Sequence, residues 1–204
     1  MSTDRDVVVE ALSGDEIERA LPALARLRIT VFRAYPYLYD GTLDYEQKYL
    51  ARFARAEGAV IVAARDGEDI VGVATGSPLG GHTADFVPLF AKHGLDPDEI
   101  FYFGESVLLP SHRGRGIGHR FFDLREQHAR TVEGPNGRFV HTAFCGVVRP
   151  HDHPQRPADH RALDPFWSKR GYRKIEGMLG SYAWKDVDEV QETAKPMQFW
   201  IKAL

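Results

Sequence analysis

With 204 residues, 43% hydrophobic and 27% charged, the chain has globular composition and room for a real core, unlike a disordered chain. A formal net charge of −3 gives no basic field to hold nucleic acid, and a single cysteine, Cys145, excludes an intramolecular disulfide framework. No stretch reaches the ~20 apolar residues of a membrane-spanning helix, so a soluble, cytoplasmic protein without nucleic-acid or membrane partners is expected.

The opening MSTDRDVVVEALSGDE lacks a basic stretch followed by a long apolar run, so no secretory leader is expected. VVVEAL (7–12) reads as a short β-branched strand. Residues 13–32 read as a helix: Ser13 and Glu16 make a capping-box pattern, and Ile17, Leu21, Leu24 and Leu27 recur at helical spacing. Pro22 either disturbs this helix or marks a later start. RAYPYLYDGTL (33–43) is aromatic and carries turn residues, and 44–57 read as a second helix with Tyr45, Tyr49, Leu50 and Phe53 on one side. Residues 59–79 give two strands joined at Asp66-Gly67, a hairpin signal. A short helix or loop covers 86–97, and IFYFGESVLLP (100–110) is a nearly continuous apolar strand, as in the middle of a sheet.

A helix follows over 115–130, with Ile117, Phe121 and Leu124 on one face, and then a buried strand over 137–148. Residues 149–164 hold three prolines and three histidines without periodicity and read as a loop. A short helix over 165–172 ends at Gly171, and strands are expected over 181–187 and 196–204. No internal repeat or low-complexity linker interrupts this order, which describes one mixed α/β domain.

The segment Arg113-Gly114-Arg115-Gly116-Ile117-Gly118 lies between an apolar strand and an amphipathic helix. Glycine costs backbone entropy in regular structure, so three in five residues need a reason. One reason is a tight turn with no ligand. The other is close approach of an anion, most simply a diphosphate, to the unpaired N–H groups and positive dipole end of the helix. Neither the phosphate-loop pattern with Lys-Ser/Thr nor the Gly-x-Gly-x-x-Gly dinucleotide pattern fits. Arg-Gly-Arg-Gly as an RNA contact is disfavoured by its place between regular elements in an acidic chain.

The run from Val107 to Gly118 resembles the acetyl-CoA motif of the GNAT superfamily of N-acyltransferases, with Arg113, Gly116 and Gly118 at its fixed positions. LDPFWSKRGY resembles that superfamily's later helix, and the element order is similar over about residues 5–204, taken as one domain. The resemblance implies an α/β (α+β) fold with a mixed sheet of about 6–7 strands, splayed at the fourth strand, with helices on both faces. It implies acetyl-CoA as co-substrate, with no metal. The diphosphate would rest on Arg113, Gly114, Arg115, Gly116, Ile117 and Gly118, and the pantetheine arm would pair with Val107, Leu108 and Leu109 as an added strand. Acetyl would pass directly, in a ternary complex, to the primary amine of a small-molecule or amino-acid-like acceptor. Peptide or protein amines, and a non-catalytic acyl-CoA sensor, are the alternatives. A homodimer fits the family's habits.

Glu105 stands out as a carboxylate in an otherwise apolar strand. Such a group is costly unless paired or used, and the two readings are a general base and a partner for a structural arginine. Trp167 stands four residues before Gly171, where many members of the superfamily carry an acidic tyrosine. Indole N–H only donates hydrogen bonds, and Ser168 and Tyr172 do not match the position, so the acid is unassigned. For the acceptor, Phe32, Tyr35 and Tyr37 build either a pocket wall or a small satellite core. Arg149, with Arg156 and Arg161, either holds an acceptor anion or pairs with Asp152, Asp159 and Asp164. His151, His153 and His160 lack the spacing and partners of a metal site, and Cys145 reads as a small buried hydrophobe.

Overall fold

The computed structural model describes residues 6–13, 15–82 and 84–204. Strand β1 (Val8–Ala11) leads to helices α1 (Asp15–Phe32) and α2 (Leu43–Ala54). The hairpin of β2 (Val60–Asp66) and β3 (Asp69–Pro78) follows, then the short helices α3 (Leu79–His82) and α4 (Val87–Lys92). Strand β4 (Ile100–Leu108) precedes helix α5 (Ile117–Thr131). A small hairpin, β5 (Glu133–Gly134) with β6 (Gly137–Arg138), then leads to β7 (His141–Val147). Helix α6 (Asp164–Lys169) and strands β8 (Arg173–Trp184) and β9 (Thr193–Ala203) complete the chain.

Seven strands form one sheet in the order β1-β2-β3-β4-β7-β9-β8. Every neighbouring pair is antiparallel except β4 and β7. This is the mixed sheet expected from the sequence. Leu24, Leu27, Leu50 and Phe53 of α1 and α2 pack on one face against Ile61, Val73 and Val107. Ile117, Phe121 and Phe122 of α5 pack on the other against Val60, Val62 and Phe103. Burying each such side chain contributes about 1.5–3 kcal/mol relative to exposure.

Local chemistry sets the element ends. The N–H and Oγ of Ser13 both reach Glu16 Oε2, at 3.3 and 3.4 Å, where α1 begins. Pro22 lies inside α1 without ending it, because Ala20, Leu24 and Ala25 beside it are buried against the sheet. Helix α5 starts two residues later than expected, since Gly116 before it is left-handed, with φ 75°. The expected strand over 137–148 is two elements: β6 turns back on β5, and only β7 enters the large sheet. Strand β8 starts earlier than expected, with its register to β9 broken between Lys174 and Leu179. That irregularity removes the period-two pattern by which a strand is read.

The parallel pair fixes the centre of the molecule. Strand β4 pairs with β7 only through Ile100, Phe101 and Tyr102, against His141, Thr142 and Ala143. On its other side, Phe103 opposes Gly76 and Ser106 opposes Ala74, so Gly104 and Glu105 together face Thr75. This is a β-bulge, and a bulge bends its strand. Beyond it β4 leaves β7, and the sheet opens between them. Arg125 of α5, only 1% exposed, fastens the bend. Its Nη1 donates to the carbonyls of Thr75 (3.0 Å) and Glu105 (3.4 Å), its Nη2 to Ser106 Oγ (2.9 Å) and its Nε to Phe121 O (3.1 Å). The guanidinium lies over Phe103 and Phe122, and burial pulls its pKa down to about 10.

Candidate active site

The glycine segment forms the turn between β4 and α5. Gly114 and Gly116 have φ of +79° and +75°, and a Cβ at either would meet no atom within 4 Å. Only the backbone conformation demands glycine there, and the space beside them is open. The first helical bonds run from the N–H groups of His119 and Arg120 to Gly116 O, at 3.0 and 3.3 Å. The amides of Ile117 and Gly118 precede that ladder, and no side chain caps it. A cavity of about 500 Å³ adjoins them, lined by Asp6, Arg115, Gly116, Ile117 and Arg120 among others. Arg120 escaped the sequence reading because, one turn into a helix, it looked like part of a solvated face. Ile117 is buried in the core and offers the site only its main chain. Arg113 Nε donates to Leu108 O at 3.4 Å, and His112 Nε2 meets Asp66 Oδ2 at 3.2 Å, tying the turn to the β2–β3 hairpin.

The strand residues expected to pair with a ligand divide. The N–H of Leu109 donates to Val71 O at 3.0 Å, on β3. By the two-residue alternation of an antiparallel ladder, Val107 also directs its main chain to β3, while its side chain is fully buried. Val107 and Leu109, expected as pairing partners of a ligand, thus direct their main chain to β3. Leu108 and Ser106 present their main chain on the side that β7 has left.

Glu105 sits where the sheet opens, with 3% of its side chain exposed. Its Oε2 meets Arg28 Nη1 at 2.5 Å and accepts from Tyr49 Oη at 3.4 Å. Arg28 Nε donates in turn to Glu46 Oε2, and the guanidinium lies between the Phe32 and Tyr49 rings, 5.2 and 4.5 Å from their centroids. Burial opposes the charge of Arg28, but Glu105 and Glu46 outweigh it and hold its pKa above the ordinary value. Burial, and then the charge of Glu105, push the Tyr49 phenol up. Glu46 Oε1 and Glu105 Oε1 are both buried without a hydrogen-bond partner. One guanidinium thus serves two carboxylates. Glu105 faces an arginine, the arrangement that the sequence held open beside a base role.

The aromatic segment also divides. Phe32 and Tyr37 pack with tilted rings, 4.5 Å between centroids, beside Arg28. Tyr35 instead meets the rings of His153 (5.7 Å) and His160 (4.7 Å) on the 149–164 loop. Among the described residues, no group of three His, Cys, Asp or Glu side chains could hold a metal ion. Arg149 is bonded within the protein. It was expected either to hold an acceptor anion or to pair within its loop. Its Nε and Nη2 donate to Pro36 O and Tyr37 O, both at 2.7 Å, and its Nη1 meets Asp186 Oδ2 at 2.8 Å. The guanidinium is used up inside the protein. Trp167 lies over Gly146, whose Cβ position is 3.0 Å from the indole, and packs on Phe144 and Trp200. Cys145 accepts from Tyr102 Oη at 3.0 Å, and burial pushes its thiol up to about 12.

Residues 24–145 match the model described as "Acetyltransferase (GNAT) family". No curated protein sequence matches the chain. Among solved structures, the chain is similar to the ribosomal-protein-alanine N-acetyltransferase of Brucella melitensis, with a TM-score of 0.60 at 14% identity over 97% of this chain and 99% of that one. It is similar to Arabidopsis thaliana NAA60 in complex with acetyl-CoA, with a TM-score of 0.60 at 12% identity over 98% and 99% of the two chains. It is also similar to an aminoglycoside 6'-N-acetyltransferase complexed with coenzyme A, with a TM-score of 0.58 at 15% identity over 96% of each chain. At these identities the likeness is one of fold. Among the described residues, no helix is long and apolar enough to cross a membrane.

Proposed function

Because the chain belongs to the GNAT acetyltransferase family, and so is an acyltransferase, we propose that it moves acetyl from acetyl-CoA to the primary amine of a small-molecule acceptor, in one domain over residues 5–204. The observation that carries this reading is the opening between β4 and β7, with the glycine turn at one end and Glu105 at its bend. In it, the amides of Gly114, Gly116, Ile117 and Gly118 receive the diphosphate, with Arg113, Arg115 and Arg120 at the rim. The pantetheine arm lies along the freed side of β4, at Ser106 and Leu108, as an added strand.

Glu105 takes a proton from the acceptor ammonium, and the neutral nitrogen attacks the thioester carbonyl carbon. The C–N bond forms and the C–S bond breaks; the nitrogen gives up its second proton to water, the thiolate takes a proton from water, since Trp167 occupies the position of an acid, and Glu105 returns its proton to solvent. Arg28 and Tyr49 hold the Glu105 carboxylate in place, and Phe32 and Tyr37 support Arg28 from behind. An amino-acid-like acceptor loses its support with Arg149 spent on Asp186. A peptide acceptor is the second reading, and the name of one structural neighbour, a ribosomal-protein-alanine N-acetyltransferase, favours it.

Release of CoA over panels of amines and peptides tests the assignment. Glu105→Gln is expected to lower kcat by about a hundredfold or more, with acetyl-CoA affinity unchanged. Turnover equal to the parent enzyme would remove Glu105 from the reaction.

A further inference from the structure

Helix α1 brings one cation to the bend of β4, and two buried carboxylates divide it. Glu46 and Glu105, with side chains 0% and 3% exposed, share the guanidinium of Arg28 nitrogen by nitrogen. Its Nε donates to Glu46 Oε2, and its Nη1 meets Glu105 Oε2 at 2.5 Å. An arginine that faces a single carboxylate commonly grips both oxygens with two parallel N–H groups. Arg28 grips neither partner that way. Each carboxylate keeps its Oε1 buried and without a hydrogen-bond partner. On Glu105 the Tyr49 phenol, at 3.4 Å, loads the same Oε2 that Arg28 holds. One oxygen of Glu105 is thus the anchor, and the other is left over.

The two leftover oxygens differ in place. Glu46 stands on α2, where burial and then its charge hold the Tyr39 phenol above its ordinary pKa. Glu105 stands on β4 at the bulge, where the sheet opens. A buried carboxylate oxygen without a donor is costly, so Glu105 Oε1 draws any N–H within reach. The nearest cation is Arg28 itself. Its guanidinium is confined between the Phe32 and Tyr49 rings, which leaves a small turn in its own plane as the way to place a second N–H on Glu105. The bond from Nε to Glu46 opposes that turn.

We propose that Glu46 is a positioning residue for acetyl transfer: by holding Arg28 through Nε, it keeps Glu105 Oε1 free to take the proton of the acceptor ammonium. This rests on the reading of Glu105 as the base. Glu46 acts through Arg28 and not on the reacting atoms. Without its negative charge, Arg28 closes as a fork on both oxygens of Glu105, and the working oxygen is lost to an internal ion pair.

Glu46→Gln removes the charge and keeps an oxygen for Arg28 Nε. With the best amine of the panel and saturating acetyl-CoA, kcat is expected to fall about tenfold or more, with acetyl-CoA affinity unchanged. Lysine carries the charge without the planar fork. Adding Arg28→Lys to Glu46→Gln is therefore expected to recover about threefold or more of the lost kcat. A residue that only braced α1 against α2 gives another pattern: the folded Glu46→Gln enzyme turns over like the parent, or the double variant is no faster than the single one. Either result would overturn the inference. Should Glu46→Gln not fold, the unmodified enzyme decides. In nitrogen-15 NMR the Arg28 Nε–H resonance is expected to stay at its carboxylate-bonded shift when CoA and amine bind, and its move to the shift of a free guanidinium would also overturn the inference. A slow Glu105→Gln beside a fast Glu46→Gln removes Glu46 alone and leaves the base standing. A Glu105→Gln enzyme as fast as the parent sinks both.

Discussion

Arg149 ties the connection between α1 and α2 to the segment that joins β8 and β9. It joins the carbonyls of Pro36 and Tyr37 to Asp186, and Trp184 Nε1 donates to the same Tyr37 carbonyl at 2.9 Å. Replacing Arg149 by Met leaves a buried carboxylate with, among the described residues, only Lys195, 3.5 Å away, as a cation. The expected loss is about 3 kcal/mol, read as a lower midpoint in urea unfolding, with Arg149→Lys recovering only part because it lacks the planar fork. A midpoint unchanged in Arg149→Met would return the side chain to a ligand role. At this scale the sequence was legible where a residue contradicted its surroundings. Glu105 in an apolar strand was such a residue. Arg28 and Glu46 were not, because a charge on an amphipathic helix reads as its solvated face. Asp186 could not be matched to Arg149, because the contact depends on how the α1–α2 connection folds over the sheet.

At the scale of elements, the turn and the bulge do different work. The turn was legible, since glycines between an apolar strand and an amphipathic helix have few physical explanations. The bulge was not. Nothing in FGESVL marks an extra residue opposite Thr75, and the seat that Arg125 takes depends on the packing of α5. The glycines themselves separate conformation from space. At Gly116 an alanine has room but must hold a positive φ, which costs about 1 kcal/mol and is expected to weaken acetyl-CoA binding about fivefold. Gly118 is helical and its Cβ would make an ordinary 3.5 Å contact with Phe166. Gly118→Ala is therefore expected to bind acetyl-CoA within about twofold of the parent. Equal losses at both positions, measured by calorimetry, would mean that close approach of the ligand, and not backbone strain, demands glycine.

At the scale of the molecule, the opening in the sheet organises everything else. Helices α1 and α2 on one face bring Arg28, Glu46 and Tyr49 to Glu105, while α5 on the other face brings its amino end and Arg125 to the same strand. The order of elements along the sequence was enough for one mixed α/β domain, and the mixed sheet with helices on both faces came with the resemblance to a family. The early end of the β4–β7 pairing was not readable from residue pattern and entered only through the resemblance to a family. The central claim is that this opening and its glycine turn together form one acyl-CoA site. Calorimetric titration of the folded protein with acetyl-CoA, with ADP as control, tests it most directly. Saturable binding of one acetyl-CoA per chain, tighter than ADP, is the predicted result, because the turn alone can hold only the diphosphate while the freed side of β4 adds the pantetheine arm. No binding, or affinity no better than that of ADP, would contradict the account.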